Sequence, residues 1–207
     1  KTCTLCPRRC GVYRSSGKTG YCGESNTIRV ARTSLHQWEE PCITGKYGSG
    51  TVFFSGCALK CIFCQNHNIA DSQVGREFTV EELADAFLRL QEKKATNINL
   101  VTAGHFVDNL VPVIQRAREK GLIIPIVYNT GGYELSEQIK ALCDNGIHYI
   151  EPRNIGGKGI LELSDEELAE IIFYYRSQYS TVGDPITDRA AMLTDSVNID
   201  YEGTLDG

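Results

Sequence analysis

No apolar run in the 207 residues approaches the ~20 needed to cross a bilayer, so no membrane-spanning helix is expected. The N-terminus also lacks the basic, apolar and small-residue succession of a signal peptide, which leads to the expectation of a cytoplasmic chain. Its first residue is Lys1 rather than Met, which leads to the expectation of a trimmed chain. Basic charge is scarce: 21 Lys and Arg stand against 26 Asp and Glu, for a net charge of −5. Nothing there attracts phosphates globally, no local basic patch stands out, and Arg8-Arg9 and Lys93-Lys94 read as solvated surface, so nucleic acid is not an expected partner. The even cysteine count of a disulfide framework is missing as well. Nine cysteines are present, eight of them before residue 65 and at ligand-like spacings, which favours reduced thiols on metal. What remains, 42% apolar and 23% charged, is the composition of a soluble globular domain with a small appendage.

The pattern alternates strands and helices. A strand is expected within 26–34, joining an N-terminal lobe to the main domain, and a buried strand at 51–55 follows the glycines of 45–50. Thr79 and Glu82 have capping-box spacing ahead of an apolar helical stripe that runs to about Lys94. Next come a strand through Ile98, Leu100 and Val101, a polar turn at 102–105, and a helix from 108 that stops at Gly121 in the left-handed conformation. A third strand is expected at 123–128, with a turn at 129–132 and a helix at 135–144. A fourth strand at 147–151, a glycine loop at 156–159 and a helix at 164–178 follow. This order predicts an α/β chain with a parallel sheet of βα units, its chemistry at the carboxyl ends of the strands. The 180–207 tail shows little periodicity beyond a possible strand at 197–201.

The chemistry is concentrated in Cys57-Ala58-Leu59-Lys60-Cys61-Ile62-Phe63-Cys64. A C-x3-C-x2-C trio has the right number of thiols to hold three irons of a cubane and leave the fourth open to an exogenous ligand. A zinc site with a distant fourth ligand, or buried free thiols, are the alternatives. Upstream, Cys3, Cys6, Cys10 and Cys22 form a four-thiol set with Cys42 as a spare. Zinc, rubredoxin-like iron, a second iron–sulfur cluster or unliganded thiols all agree with that spacing.

The C-x3-C-x2-C spacing, with aromatic Phe63 before the last cysteine, resembles the signature of the radical S-adenosylmethionine (radical SAM) enzymes. Cys64-Gln65-Asn66 and the stretches 36–42, 48–57 and 97–102 resemble a subgroup named for pyruvate formate-lyase activation, the likeness running from about Cys3 to Tyr133. The resemblance implies a partial (β/α) barrel of radical SAM type, shortened because only four units and a possible fifth strand are countable, with a Cys-rich N-terminal lobe. The expected organisation is a lobe over 1–48, a barrel over 49–179 and a tail over 180–207. It implies a 4Fe-4S cluster on Cys57, Cys61 and Cys64, S-adenosylmethionine on its open iron, and reductive cleavage to a 5′-deoxyadenosyl radical that abstracts hydrogen. Phe63 would sit near the adenine. The family's Gly-Gly-Glu is not present as such after strand two; Thr102, Gly104 and His105 stand in its place, and Asn129 and Thr130 occupy the position of the activating enzymes' Asp-Thr-Asn-Gly turn. Glu151-Pro152-Arg153 replaces Asp-Leu-Lys, which weakens the case for a glycyl-radical enzyme as the substrate. A protein or small-molecule substrate and an electron donor such as flavodoxin or ferredoxin are the implied partners; a non-catalytic iron–sulfur or zinc-binding module is the alternative.

Overall fold

The computed structural model describes residues 2–62, 64–71, 73–147 and 149–152, apart from the side chains of Cys42, Glu151 and Pro152. The expected features at Phe63, Arg153, the 156–159 loop, the 164–178 helix and the tail lie outside the described residues. Among the described residues, no helix is long and apolar enough to cross a membrane.

The fold is mixed α/β around a six-stranded sheet of order β3-β1-β2-β4-β5-β6. The strands are β1 (Ile28–His36), β2 (Ser49–Phe54), β3 (Arg76–Phe78), β4 (Ile98–Val101), β5 (Ile126–Thr130) and β6 (Tyr149–Pro152). Short helices α1 (Pro41–Thr44) and α2 (His67–Ala70) flank β2; α3 (Val80–Glu92), α4 (Val107–Glu119) and α5 (Ser136–Asp144) connect the later strands. From β2 onward the pairs β2–β4, β4–β5 and β5–β6 are parallel, as the alternating pattern predicts. The sheet is nevertheless mixed: β1 runs antiparallel to both β2 and β3, and so extends the sheet instead of only joining the lobe to it. The three-residue β3 carries two charges in Arg76-Glu77-Phe78, too short and polar to give a periodic signal.

Strand β5 is displaced from its expected 123–128. Pro125 has no N–H to donate, so 123–125 is a connection whose Pro125 carbonyl accepts Ile98 N–H at 2.9 Å, and pairing starts at Ile126. Asn129 and Thr130, expected in a turn, are therefore the last residues of the strand, Asn129 opposite Val101 and Glu151. The Thr79 capping box forms, with Glu82 N–H donating to Thr79 Oγ1 at 3.2 Å and Thr79 N–H to Glu82 Oε2 at 2.9 Å. At the far end of α4, Gly121 takes the left-handed conformation (φ 99°) and Leu122 N–H returns to the Ala117 carbonyl at 2.9 Å.

Alternation along the strands divides the sheet into two faces. Val52, Phe54, Ile98, Leu100, Ile126 and Tyr128 pack into one core with Leu83, Phe87, Leu110, Ile114 and Leu142 of the helices. The opposite face carries Thr51, Phe53, Asn99, Val101, Val127 and Asn129. Thr51 and Asn99 are fully buried there, which departs from the continuous apolar runs usual in covered parallel strands. Because the four later strands are parallel, the loops leaving β2, β4 and β5 gather at a single edge.

Candidate cofactor site at the carboxyl edge of the sheet

The loop leaving β2 is closed on itself and anchored to its surroundings. Ser55 N–H donates to the Arg29 carbonyl (3.1 Å), Gly56 N–H to Ile69 (2.9 Å) and Cys57 N–H to Cys22 (3.1 Å), while Ser55 Oγ accepts Val74 N–H (2.9 Å). Gly56 is required twice, by a φ of 77° and by the Cys22 carbonyl, which lies where a Cβ would be built. Inside the loop Cys64 N–H returns to the Cys61 carbonyl and His67 N–H to the Cys64 carbonyl, each at 3.1 Å, a tight double turn that keeps the last two thiols close to one another.

Cys57, Cys61 and Cys64 are half-buried free thiols. Burial pushes the Cys57 thiol up, against the pull of Lys60 and Leu59 N–H groups, and the charges of Cys64 and Glu134 add to the rise. Burial likewise raises Cys61, followed by the charges of Cys57 and Cys64. Mutual repulsion of this kind means that the three sulfurs lie within electrostatic reach of one another. An iron centre would reverse the balance, since metal ligation deprotonates thiols and offsets their repulsion. The donor set fits a cubane: three soft sulfurs in one surface loop. Among the described residues no three His, Cys, Asp or Glu converge around one ion.

Cys57, Cys64 and Asn66 line a cleft together with Phe53, Val101 and Thr102. Thr102 has a φ of 60° and donates its N–H to the Asn129 carbonyl at 3.1 Å. Gly104 starts a single helical turn, Gly104–Phe106, and a Cβ at this position would lie 2.5 Å from Glu134 Oε1. His105 is turned inward, only 3% exposed, with Nε2–H donating to the Ser55 carbonyl at 2.7 Å. Burial, aided by the charge of Arg14, holds its imidazole down to about 4 in spite of that hydrogen bond. In this arrangement His105 ties the turn after β4 to the root of the thiol loop and does not face the cleft.

Two residues of this edge were not legible in the sequence. Arg14 is 5% exposed and donates to the His105 carbonyl at 2.7 Å and twice to the Ser25 carbonyl, at 3.1 and 2.5 Å. Glu134 accepts Tyr128 Oη–H at 3.0 Å and Thr130 Oγ1–H at 2.5 Å, and Thr130 Oγ1 in turn accepts Gly132 N–H at 2.9 Å. Burial raises Glu134 above the usual carboxylate range despite these donors. The available signal was Gly131-Gly132-Tyr133-Glu134, two glycines and a nearby glutamate leaving β5 instead of β4.

In the lobe, Cys3 and Val12 pair across a hairpin (Cys3 N–H to the Val12 carbonyl, 2.8 Å), and Arg9 N–H closes a turn on Cys6 at 2.9 Å. A Cβ on Gly20 would lie 3.3 Å from Cys10 Sγ and 3.4 Å from Cys22 Sγ. The structure thus groups all four thiols: burial raises Cys6 and Cys22, and each also feels the charges of its neighbours. Burial pushes Cys10 up too, but N–H groups of Tyr21 and Val12 and the Cys3 side chain outweigh it, leaving Cys10 lowered. The lobe is packed directly on the thiol loop, Cys22, Ala58 and Tyr133 forming one cluster with Cys6 and Leu59, and Arg8 Nε donating to the Ala58 carbonyl at 3.1 Å.

One curated relative, an uncharacterized protein of Methanocaldococcus jannaschii, is 29% identical over 142 residues, 64% of this chain. The chain spans 39% of that protein's length. Residues 51–152, from β2 to β6 and including the three thiols, match the family model described as Radical SAM superfamily. The parallel part of the sheet, with the cysteine loop at its carboxyl edge, is thus the part of the chain that is similar to radical SAM domains.

Proposed function

We propose that this chain is a radical SAM enzyme on a partial barrel, with Cys57, Cys61 and Cys64 holding a 4Fe-4S cluster whose open iron receives S-adenosylmethionine. One observation carries the reading: the three thiols sit on the loop that leaves β2, and two of them, Cys57 and Cys64, line a cleft together with Thr102 at the edge where the other βα loops converge. Bound there, the cluster and its ligand supply reductive cleavage to a 5′-deoxyadenosyl radical that abstracts hydrogen. The protein's part is to position. The anchored loop fixes where the thiolates stand, the left-handed Thr102 and glycine 104 leave room beside Thr130 and Glu134, and Glu134 offers a carboxylate to a methionyl ammonium. Asn129 lines the same edge, and Phe63 keeps the adenine role implied by its place before Cys64. His105 and Arg14 support that edge from behind.

A second metal centre on Cys3, Cys6, Cys10 and Cys22 belongs to the same proposal. It is supported by the grouping of the four thiols, which metal would have to draw closer together. An activating-enzyme role in the cytoplasm, with a glycyl-radical enzyme as the substrate and flavodoxin or ferredoxin as the donor, is its most specific form.

The test is anaerobic reconstitution, iron and sulfide counts, then dithionite reduction with S-adenosylmethionine and a search for 5′-deoxyadenosine. About four irons and four sulfides per three-thiol site, with product that disappears in Cys57→Ala, Cys61→Ala and Cys64→Ala, is the expected result. Zinc without sulfide, and no product, would overturn it in favour of a non-catalytic metal module.

A further inference from the structure

We infer that the sheet face opposite the helices carries, one layer beneath the cleft, a subsite for a neutral amide group of the substrate, with Asn99 as its specificity-determining residue and a peptide as its ligand. The inference rests on the reading of the cleft as the cofactor site. Strand registers set the layer. Ser34 lies opposite Thr51, Thr51 opposite Asn99, Asn99 opposite Val127 and Val127 opposite Tyr149, so these five side chains share one face and cross five strands as a row. Phe53 and Val101, which line the cleft, stand two residues further along the same strands as Thr51 and Asn99, a step of about 6.6 Å. Within the row Asn99 is 0% exposed, and neither its amide oxygen nor its amide nitrogen has a hydrogen-bond partner among the described residues. A buried amide orphaned at both atoms is rare in a folded chain and calls for an explanation.

The layer below shows what the same residue types do when their role is structural. Ser49 Oγ–H donates to Asn97 Oδ1 at 2.7 Å, and Asn97 Nδ2–H donates to the Ile43 carbonyl of α1 at 2.7 Å. Hydroxyl and amide there close on each other and on the helix. One layer up, Thr51 and Asn99 do not close: Thr51 Oγ1–H turns to the Ser49 carbonyl at a long 3.5 Å, and Asn99 keeps a free donor and a free acceptor. A carboxamide presents these two side by side in one plane, and its complement is a group with the reversed pair, which is another amide. An ion does not suit the position, because none of the five residues in the row is charged and a buried ion would lack a counter-charge. The row is closed at Asn99 and opens toward its ends, where Ser34 is half-buried and Tyr149 is 60% exposed. A peptide lying along it meets two hydroxyls and then the Asn99 amide, and its entry requires Phe53, the half-buried neighbour of Thr51 along β2, to swing aside.

The experiment uses the reconstituted full chain with S-adenosylmethionine and follows its thermal midpoint against two probes: acetylglycine methylamide, a minimal peptide with two amides, and methyl acetoxyacetate, its diester isostere. A ligand of the folded state raises the midpoint with concentration, which yields the dissociation constant. The peptide is expected to bind at least about tenfold more tightly than the diester, and Asn99→Leu to abolish that preference. Without any probe Asn99→Leu should melt about 2–4 °C above the wild type, since it removes two orphaned polar atoms from a buried position. Thr51→Val, which keeps the side-chain shape and guards against a folding failure of Asn99→Leu, should weaken peptide binding about threefold. Ser49→Ala gives the opposite signature, a lower midpoint with an unchanged preference, because it breaks a bond already made one layer down. No preference for the peptide, or one that both Asn99→Leu and Thr51→Val retain, overturns the subsite and leaves the cluster reading intact. A lower midpoint for Asn99→Leu with the preference unchanged marks a structural amide held by buried water, and overturns it too. 5′-Deoxyadenosine formation by the wild type without probes is read in parallel; its absence beside a retained preference sinks the functional reading alone.

Discussion

Acid should loosen this fold through one side chain, His105. Its folded imidazole titrates at about 4, while in the unfolded chain it titrates near the ordinary ~6.5. Above 6.5 both states are neutral at this site and stability is intact. Between 6.5 and 4 the unfolded chain binds a proton that the folded one refuses, so stability falls with falling pH at about 1.36 kcal/mol per unit, then levels off below 4. The full drop is about 3 kcal/mol, of which about 2 is reached by pH 5, a large share of the 5–15 kcal/mol typical of a domain. Glu134, raised by burial, works in the opposite direction, since the folded chain takes its proton first as pH falls. A difference measurement removes that contribution. His105→Gln retains an N–H that can reach the Ser55 carbonyl but has nothing to titrate. Urea unfolding in reducing, anaerobic buffer from pH 7.5 to 5 should show the wild type losing about 2 kcal/mol relative to His105→Gln. Parallel stability curves for the two proteins would refute the reasoning.

Gly56→Ala places a Cβ against the Cys22 carbonyl at a φ of 77°, and should lower stability by at least ~2 kcal/mol in a thermal melt, with the loop losing its capacity for iron. Glu134→Gln removes a negative neighbour of Cys57, so the pH midpoint of Cys57 alkylation should move down; an unchanged midpoint would mean the carboxylate lies too far away to matter. Phe87→Ala, at a fully buried position under the sheet, should cost about 3–5 kcal/mol by chemical denaturation.

What was legible in the sequence was whatever depends on local pattern. Helix α3 announced itself through Thr79, Glu82 and its apolar stripe, and α4 through Gly121, because caps and amphipathic faces are written within a few residues. The thiol loop was legible for the same reason: three thiols within eight residues need no fold to bring them together. Strand limits were less so, since Ile123, Ile124 and Ile126 look alike in composition and only the missing N–H of Pro125 decides where pairing begins. The edge strand β3 was invisible because its partner, β1, supplies the pairing that its own three residues cannot request.

The site's supporting residues were hidden for a different reason, which Arg14 and Glu134 illustrate. Arg14 sits 91 positions from the His105 carbonyl that it bonds, and nothing around it in the chain marks it as interior. Glu134 is found only when β4 and β5 lie side by side and Gly104 offers the space that its carboxylate fills. Searching for Gly-Gly-Glu after the second parallel strand assumes that glycines and carboxylate must share one loop. In this chain Gly104 lies on one loop and the Glu134 carboxylate beside it comes from the next, so a scan along a single loop does not pair them. If that division is correct, Gly104→Ala and Glu134→Gln impair the same step and their effects are less than additive. Measured as S-adenosylmethionine affinity of the reconstituted protein, the double variant should then be weakened little more than the worse single one; strict additivity would place the two residues in separate roles.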